Sequence, residues 1–214
     1  TEGMLPTIRS RRQKIRYEPW SEDELAGLLV DLAGADPAAA ASVARTAEAN
    51  ARRGLALLED QAGLMLEWAS HLFAWIHEGD RAMAAIAADE LHRGLLCHRC
   101  RPATGAGKKA ADSGPERRDR AIQLCELLNL HYSDALFASE LGDAHRPRLP
   151  GAADLTAGAA ATRSTGSLLE DIRRIDAARG EIDRNINIGL AMAVLFEGLI
   201  DHAERDKAAR AARA

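Results

Sequence analysis

The sequence predicts an all-α fold, an elongated bundle of about five helices. Two long antiparallel helices dominate it, over about 37–78 and 166–209. Three observations lead there. The 214 residues include 44 alanines, the best helix former. They include only 3 valines, 11 isoleucines and 7 threonines, too few β-branched residues for a strand-rich chain. Apolar residues also recur at spacings of three and four through most of the chain, the period of a packed helix face.

Residues 1–20 read as a basic arm ahead of a single helical-bundle domain over 21–214. Arg9, Arg11, Arg12, Lys14 and Arg16 place five cations in eight residues, and no acid lies between Gly3 and Tyr17. Pro6 and Pro19 disfavour helix at either end of the arm. Ser21 and Glu24 then form a capping-box pattern, and Leu25, Leu28, Leu29 and Leu32 share a face of the short helix that Gly34 ends.

Asp36-Pro37 is the next start signal, an N-cap followed by proline at the first helical position. From there to about Glu78 only Gly54 and Gly63 weaken a continuous helix. Leu55, Leu58, Ala62, Met65, Ala69, Leu72 and Ile76 form one stripe, with Leu57, Leu64, Trp68 and Trp75 beside it. After Gly79-Asp80 a helix is expected over 81–99, with Met83, Ile86, Leu91, Leu95 and Leu96 inward. An irregular connection covers 101–115. The helix from about Glu116 to Leu141 carries apolar residues around much of its circumference and reads as central. Residues 142–166, with Pro147, Pro150 and several glycines, read as a second irregular connection.

Ser167 to Glu170 reads as a second capping box and opens the last long helix. From Leu168 through Ile182, Ile186 and Gly189 to Ala203 the apolar alternation is unbroken, and about forty residues would span roughly 60 Å. Arg179, Asn185 and Asn187 are polar interruptions of the kind that set register between helices, and Gly189 permits a close approach.

The net charge of -4 gives no global attraction to nucleic acid, so the local distribution decides. Arginine forks match phosphate, and Ile8, Ile15, Tyr17 and Trp20 interleave with the cations. The arm residues Arg9, Arg11, Arg12, Lys14 and Arg16 are therefore the candidate nucleic-acid contacts, with Lys108 and Lys109 as a possible extension. The arm also suits an acidic face of a partner or of its own bundle. Protein partners or a second copy would use the long helices.

No cofactor is expected, with zinc as the alternative. Cys97-His98-Arg99-Cys100, with His92 upstream, offers half of a zinc site, and Cys125, His131 or His71 would have to complete it through the fold. A carboxylate–histidine metal centre would draw on Glu67 and His71, Asp89 and His92, and Glu197, Asp201 and His202. Glu116-x-x-Asp119 and Glu140-x-x-Asp143 are similar in spacing to the acidic quartets of the all-α nucleotide pyrophosphohydrolases, which hold Mg²⁺. The likeness covers four residues only; Asp143 runs into Ala-His-Arg-Pro, and the first pair opens its helix. Thr104 to Lys109 lacks the first glycine of a phosphate loop, since Pro102 stands there.

No nucleophile–base pair emerges, so the expectation is a binding or assembly protein rather than an enzyme. No apolar run reaches the length of a membrane span, and the basic opening segment lacks the apolar core of a signal peptide. Three cysteines suit a reducing compartment, and the cytoplasm is the expected location.

Overall fold

A computed structural model describes residues 20–48, 50–58, 60–95, 114–184 and 186–212. The chain is all-α, with nine α-helices and no strand among the described residues. No helix among them is long and apolar enough to cross a membrane.

Helix α1, Glu22–Ala33, begins where the capping box places it. Ser21 Oγ accepts from Glu24 N at 3.2 Å, and the Glu24 carboxylate accepts from Ser21 N at 2.8 Å. Gly34 ends it at φ 64°, a conformation that favours glycine. Helix α2, Pro37–Thr46, starts on the Asp36 carboxylate, which accepts from Ala38 N and Ala39 N.

The expected continuous helix over 37–78 is interrupted at Ala47, Glu48 and Asn50. Glu48 adopts φ 50°, and its carboxylate receives Arg53 and Arg148. Thr46 Oγ1 donates to the Arg148 carbonyl, and Asn50 Oδ1 caps a new start by accepting from Arg53 N at 3.0 Å. Helix resumes over Ala51–Leu58 (α3) and Asp60–Glu78 (α4). Tertiary contacts from residue 148, a hundred positions away, thus override a run with good helix propensity. The break lets α1, α2 and α3 enclose a small core of Leu25, Leu29, Ala40, Ala44 and Ala47. Gly54 serves that crossing, because a Cβ there would lie 3.3 Å from a Leu29 methyl.

Helix α5, Arg81–His92, follows the turn at Gly79 (φ 83°) and is capped by Asp80. It ends well before residue 99, at Gly94 with φ 69°. Its buried face is Ala84, Ala87, Ala88 and Leu91, while Ile86, expected inward, is exposed. Helix α6, Gly114–Leu141, is the central element, with buried residues from Ala121 to Ala135.

The connection over 142–166 is more ordered than its glycine and proline content suggests. Single 3-10 turns form at Gly142–Ala144 and Pro150–Ala152, and helix α7 occupies Ala153–Thr162. The alanine-rich composition of that segment favours helix once Thr156 and Ala159 have a surface to pack on. The intervening loop is pinned by Asp134, a fully buried carboxylate on α6. It accepts from Arg148 N and Nε, both at 2.8 Å, and from Leu149 N at 3.2 Å.

The second long helix is also divided, into α8, Thr165–Asp183, and α9, Ile188–Ala211. Ser164, not Ser167, caps α8, its Oγ accepting from Ser167 N at 3.1 Å, because the Ser167 hydroxyl is taken by Arg163. Asn187 is an N-cap, its Oδ1 accepting from Leu190 N at 3.1 Å, rather than a register-setting seam residue. The two helices fold back on each other. Asp171 meets His202, and Arg163, just before α8, meets Asp206. The alternation in the sequence passes through the turn without a change of phase, which hides it.

Helices α6 and α8 are antiparallel as well: Glu126 pairs with Arg179, Asn129 with Asp176 and Glu140 with Thr165. The main core lies between α4, α5, α6, α8 and α9, with Trp68, Leu72, Phe73, Leu124, Leu128 and Phe196 among its largest members. Gly189 does permit a close approach. A Cβ there would stand 2.9 Å from His92 Cβ on α5.

Candidate functional site

The arm cations Arg9, Arg11, Arg12, Lys14 and Arg16 lie outside the described residues, as do Lys108, Lys109, Cys97 and Cys100. His92 is described. It sits exposed at the last position of α5, packed against Gly189. The arginines of early α6 close this end: Arg117 donates to the His92 carbonyl at 2.7 Å and Arg120 to the Gly94 carbonyl at 3.3 Å. They satisfy carbonyls that a helix C-terminus leaves open.

The residues considered as further metal ligands point to different places. Cys125 is buried, its sulfur 3.9 Å from that of Met192, and burial pushes its thiol up to about 12. His131 is buried against Ser70, and His71 lies at the surface beside Glu67. Glu197 and Asp201 face Arg81, Asp89 faces Arg93, and His202 faces Asp171, so the carboxylate–histidine centre is not assembled. Among the described residues no three or more such side chains are grouped to hold a metal ion. Of the acidic quartet, Glu116 opens α6 and Glu140 accepts from Thr165.

The densest polar cluster among the described residues was not visible as a motif. Arg163 is fully buried between α7 and α8. Its guanidinium donates to Asp206 at 2.7 Å, to Ser167 Oγ at 2.7 Å and to the Asp171 carboxylate. The other Asp171 oxygen meets His202 Nδ1 at 2.7 Å. Ser167 and Asp171 are four apart on α8, and His202 and Asp206 four apart on α9, so each pair shares a helix face. The one sequence signal was a polar pair at that spacing inside an otherwise apolar seam.

The electrostatics follow from burial. Loss of water works against the Arg163 charge, yet Asp171 and Asp206 more than offset it and hold its pKa above the usual range. Burial pulls Asp171 upward while Arg163 and His202 pull it back. Burial also opposes ionisation of Asp206, but bonds from Ser167 and Arg163 keep its pKa below the ordinary carboxylate value. Tyr132 next to this cluster is raised by burial and by Asp171. Beyond Tyr132 an aromatic stack follows: Phe73 lies edge-on to Tyr132 and stacks on His131, with centroids at 5.1 and 4.9 Å.

An Asp–His pair can orient an imidazole for proton transfer. Here Ser167 Oγ is bound to Arg163 rather than presented to His202. What the cluster does is tie the start of α8 to the end of α9 through one buried cation. No protein-family model, curated protein or solved structure matches this chain.

Proposed function

We propose that this chain is a non-enzymatic helical binding and assembly protein. In this reading it works in the cytoplasm as a nucleic-acid-contacting subunit of a larger bacterial or phage nucleoprotein complex. The observation that carries the proposal is the charge of the arm: Arg9, Arg11, Arg12, Lys14 and Arg16 with no acid between Gly3 and Tyr17. The disposition of the bundle's own arginines supports it. Arg163 and Arg148 neutralise buried carboxylates, and Arg117 and Arg120 cap α5. Those four cations serve the fold, and the five arm cations within eight residues are the densest basic run in the sequence.

Fluorescence anisotropy of labelled single- and double-stranded nucleic acid against the intact chain tests this across salt concentrations. Five phosphate contacts predict a log–log slope of about -4.5 on duplex DNA. Substituting alanine for all five arm cations is expected to abolish most of that slope. Binding that survives the substitution with its slope unchanged defeats the proposal.

A further inference from the structure

Helices α5 and α9 leave a groove of about 510 Å³ between them, a volume in the usual range of small-molecule sites. The groove exists because its lining lacks bulk. Ala84 and Ala85 contribute from α5, and Ala193 and Gly198 from α9. Ala84 and Phe196 are buried members of the main core, so they form an apolar floor. Val194 is 65 % exposed and stands at the rim.

One end of the groove is acidic. Glu197 and Asp201 line it together with Arg81, and Glu204 follows on the same face of α9. All three carboxylates bond to the Arg81 guanidinium, so one cation meets three anions. The neighbouring cations are turned to other acceptors. Arg174, beside Gly198, pairs with Glu170 on its own helix. Arg205 donates to the Asp201 carbonyl and Lys207 to the His77 carbonyl. An apolar trough with excess negative charge at one end is complementary to an apolar chain with a cationic head.

We propose that this groove binds a free linear aliphatic amine. The ammonium group sits among Glu197, Asp201 and Glu204 as the second cation, its three donors directed to carboxylate oxygens that Arg81 leaves open. A compact ammonium fits beside the planar Arg81 fork, where a second guanidinium would compete with it for the same oxygens. The alkyl chain lies over Phe196 and the alanines. From Asp201 back to Val194 the groove runs about 10 Å at the helical rise, a length that n-octylammonium matches. The alanine and glycine lining admits an unbranched chain and leaves no depth for larger side groups. The site uses no residue of the arm, so it goes beyond the proposed function and does not rest on it.

Calorimetric titration of the full chain with n-octylammonium chloride at low salt tests the site. The expected result is saturable binding of one amine per chain. The E197Q/D201N variant should bind about tenfold more weakly, as for loss of one charge-assisted hydrogen bond. The A85F/A193F variant fills the groove from two exposed positions and should lose binding to a similar degree. All four positions are at the surface, so both variants keep the core intact. Two further probes separate the parts of the site. n-Octanol lacks the charge and methylammonium lacks the chain, and each should bind about tenfold more weakly than the amine. Octanol binding as tightly as the amine, or methylammonium doing so, overturns the proposal. So does an absence of saturable binding at millimolar amine. A chain that is dimeric in light scattering, and monomeric as A85F/A193F, assigns the groove to a second copy and overturns it as well.

Discussion

Arg163 shows how much one buried side chain decides. It lies in a stretch whose glycines and prolines read as an irregular connection, where nothing in the local sequence marks it for burial. In the fold it is fully buried and bonds to Asp171, Ser167 and Asp206. Removing one partner of such a cluster leaves the others desolvated and uncompensated, at a cost of about 3–5 kcal/mol. Arg163→Ala is therefore expected to lower the urea midpoint strongly. Arg81→Ala, which removes a half-exposed cation from half-exposed acids, should move it far less. Equal shifts in the two variants would show that burial of the Arg163 cluster contributes nothing special.

At the scale of elements, glycines separate helix propensity from packing. Gly180 in α8 has open space where a Cβ would stand, so Gly180→Ala should stabilise by up to about 1 kcal/mol. Gly189 is also helical, but its Cβ would meet His92 Cβ at 2.9 Å, and neither atom lies at the end of a flexible side chain. Gly189→Ala is expected to destabilise by about 1–3 kcal/mol through overpacking of α5 on α9. Thermal melts of the two variants should move in opposite directions. The same contrast explains which helix boundaries were legible. Ser21 and Asp36 cap helices with their own side chains, a local device that spacing reveals, and the Gly79-Asp80 turn marks the start of the next. The break at Ala47, Glu48 and Asn50 depends on Arg148, and its local signal, Asn50, lies inside an alanine run. The turn at Arg184–Asn187 keeps the apolar phase, so periodicity cannot register it.

For the whole molecule, buried imidazoles set the response to acid. Burial lowers His77 to about 4, with the charges of Arg163 and Lys207 adding to the effect. Burial lowers His131 to about 3, with His77 adding. In the unfolded chain both titrate near the ordinary histidine value of 6.5. Below that pH the unfolded state binds more protons, so stability rises with pH. The contribution is complete above pH 6.5 and is lost as pH falls toward the folded values. Between pH 6.5 and 5 the loss is about 2 kcal/mol for each histidine. Denaturant midpoints measured from pH 7 to 5 should fall accordingly, and His131→Asn should remove about half of the slope. A flat profile over that range would show that these rings are not held neutral.

The sequence by itself determined the all-α class, the capped starts of α1 and α2, the start of α5 after the Gly79-Asp80 turn, the central burial of α6 and the close approach at Gly189. Each of these rests on composition, short-range hydrogen bonding or the helical period, which act within a few residues. Only the tertiary structure decided that both forty-residue helices are divided, that residues 153–162 are helical, and that Arg163, Asp171, His202 and Asp206 meet. Those outcomes depend on groups far apart in the chain, and the free energy of burying a charge or splitting a helix exists only once distant partners are in place. The arm stands apart from both, because its cations announce a chemistry whose partner lies outside any pattern of spacing.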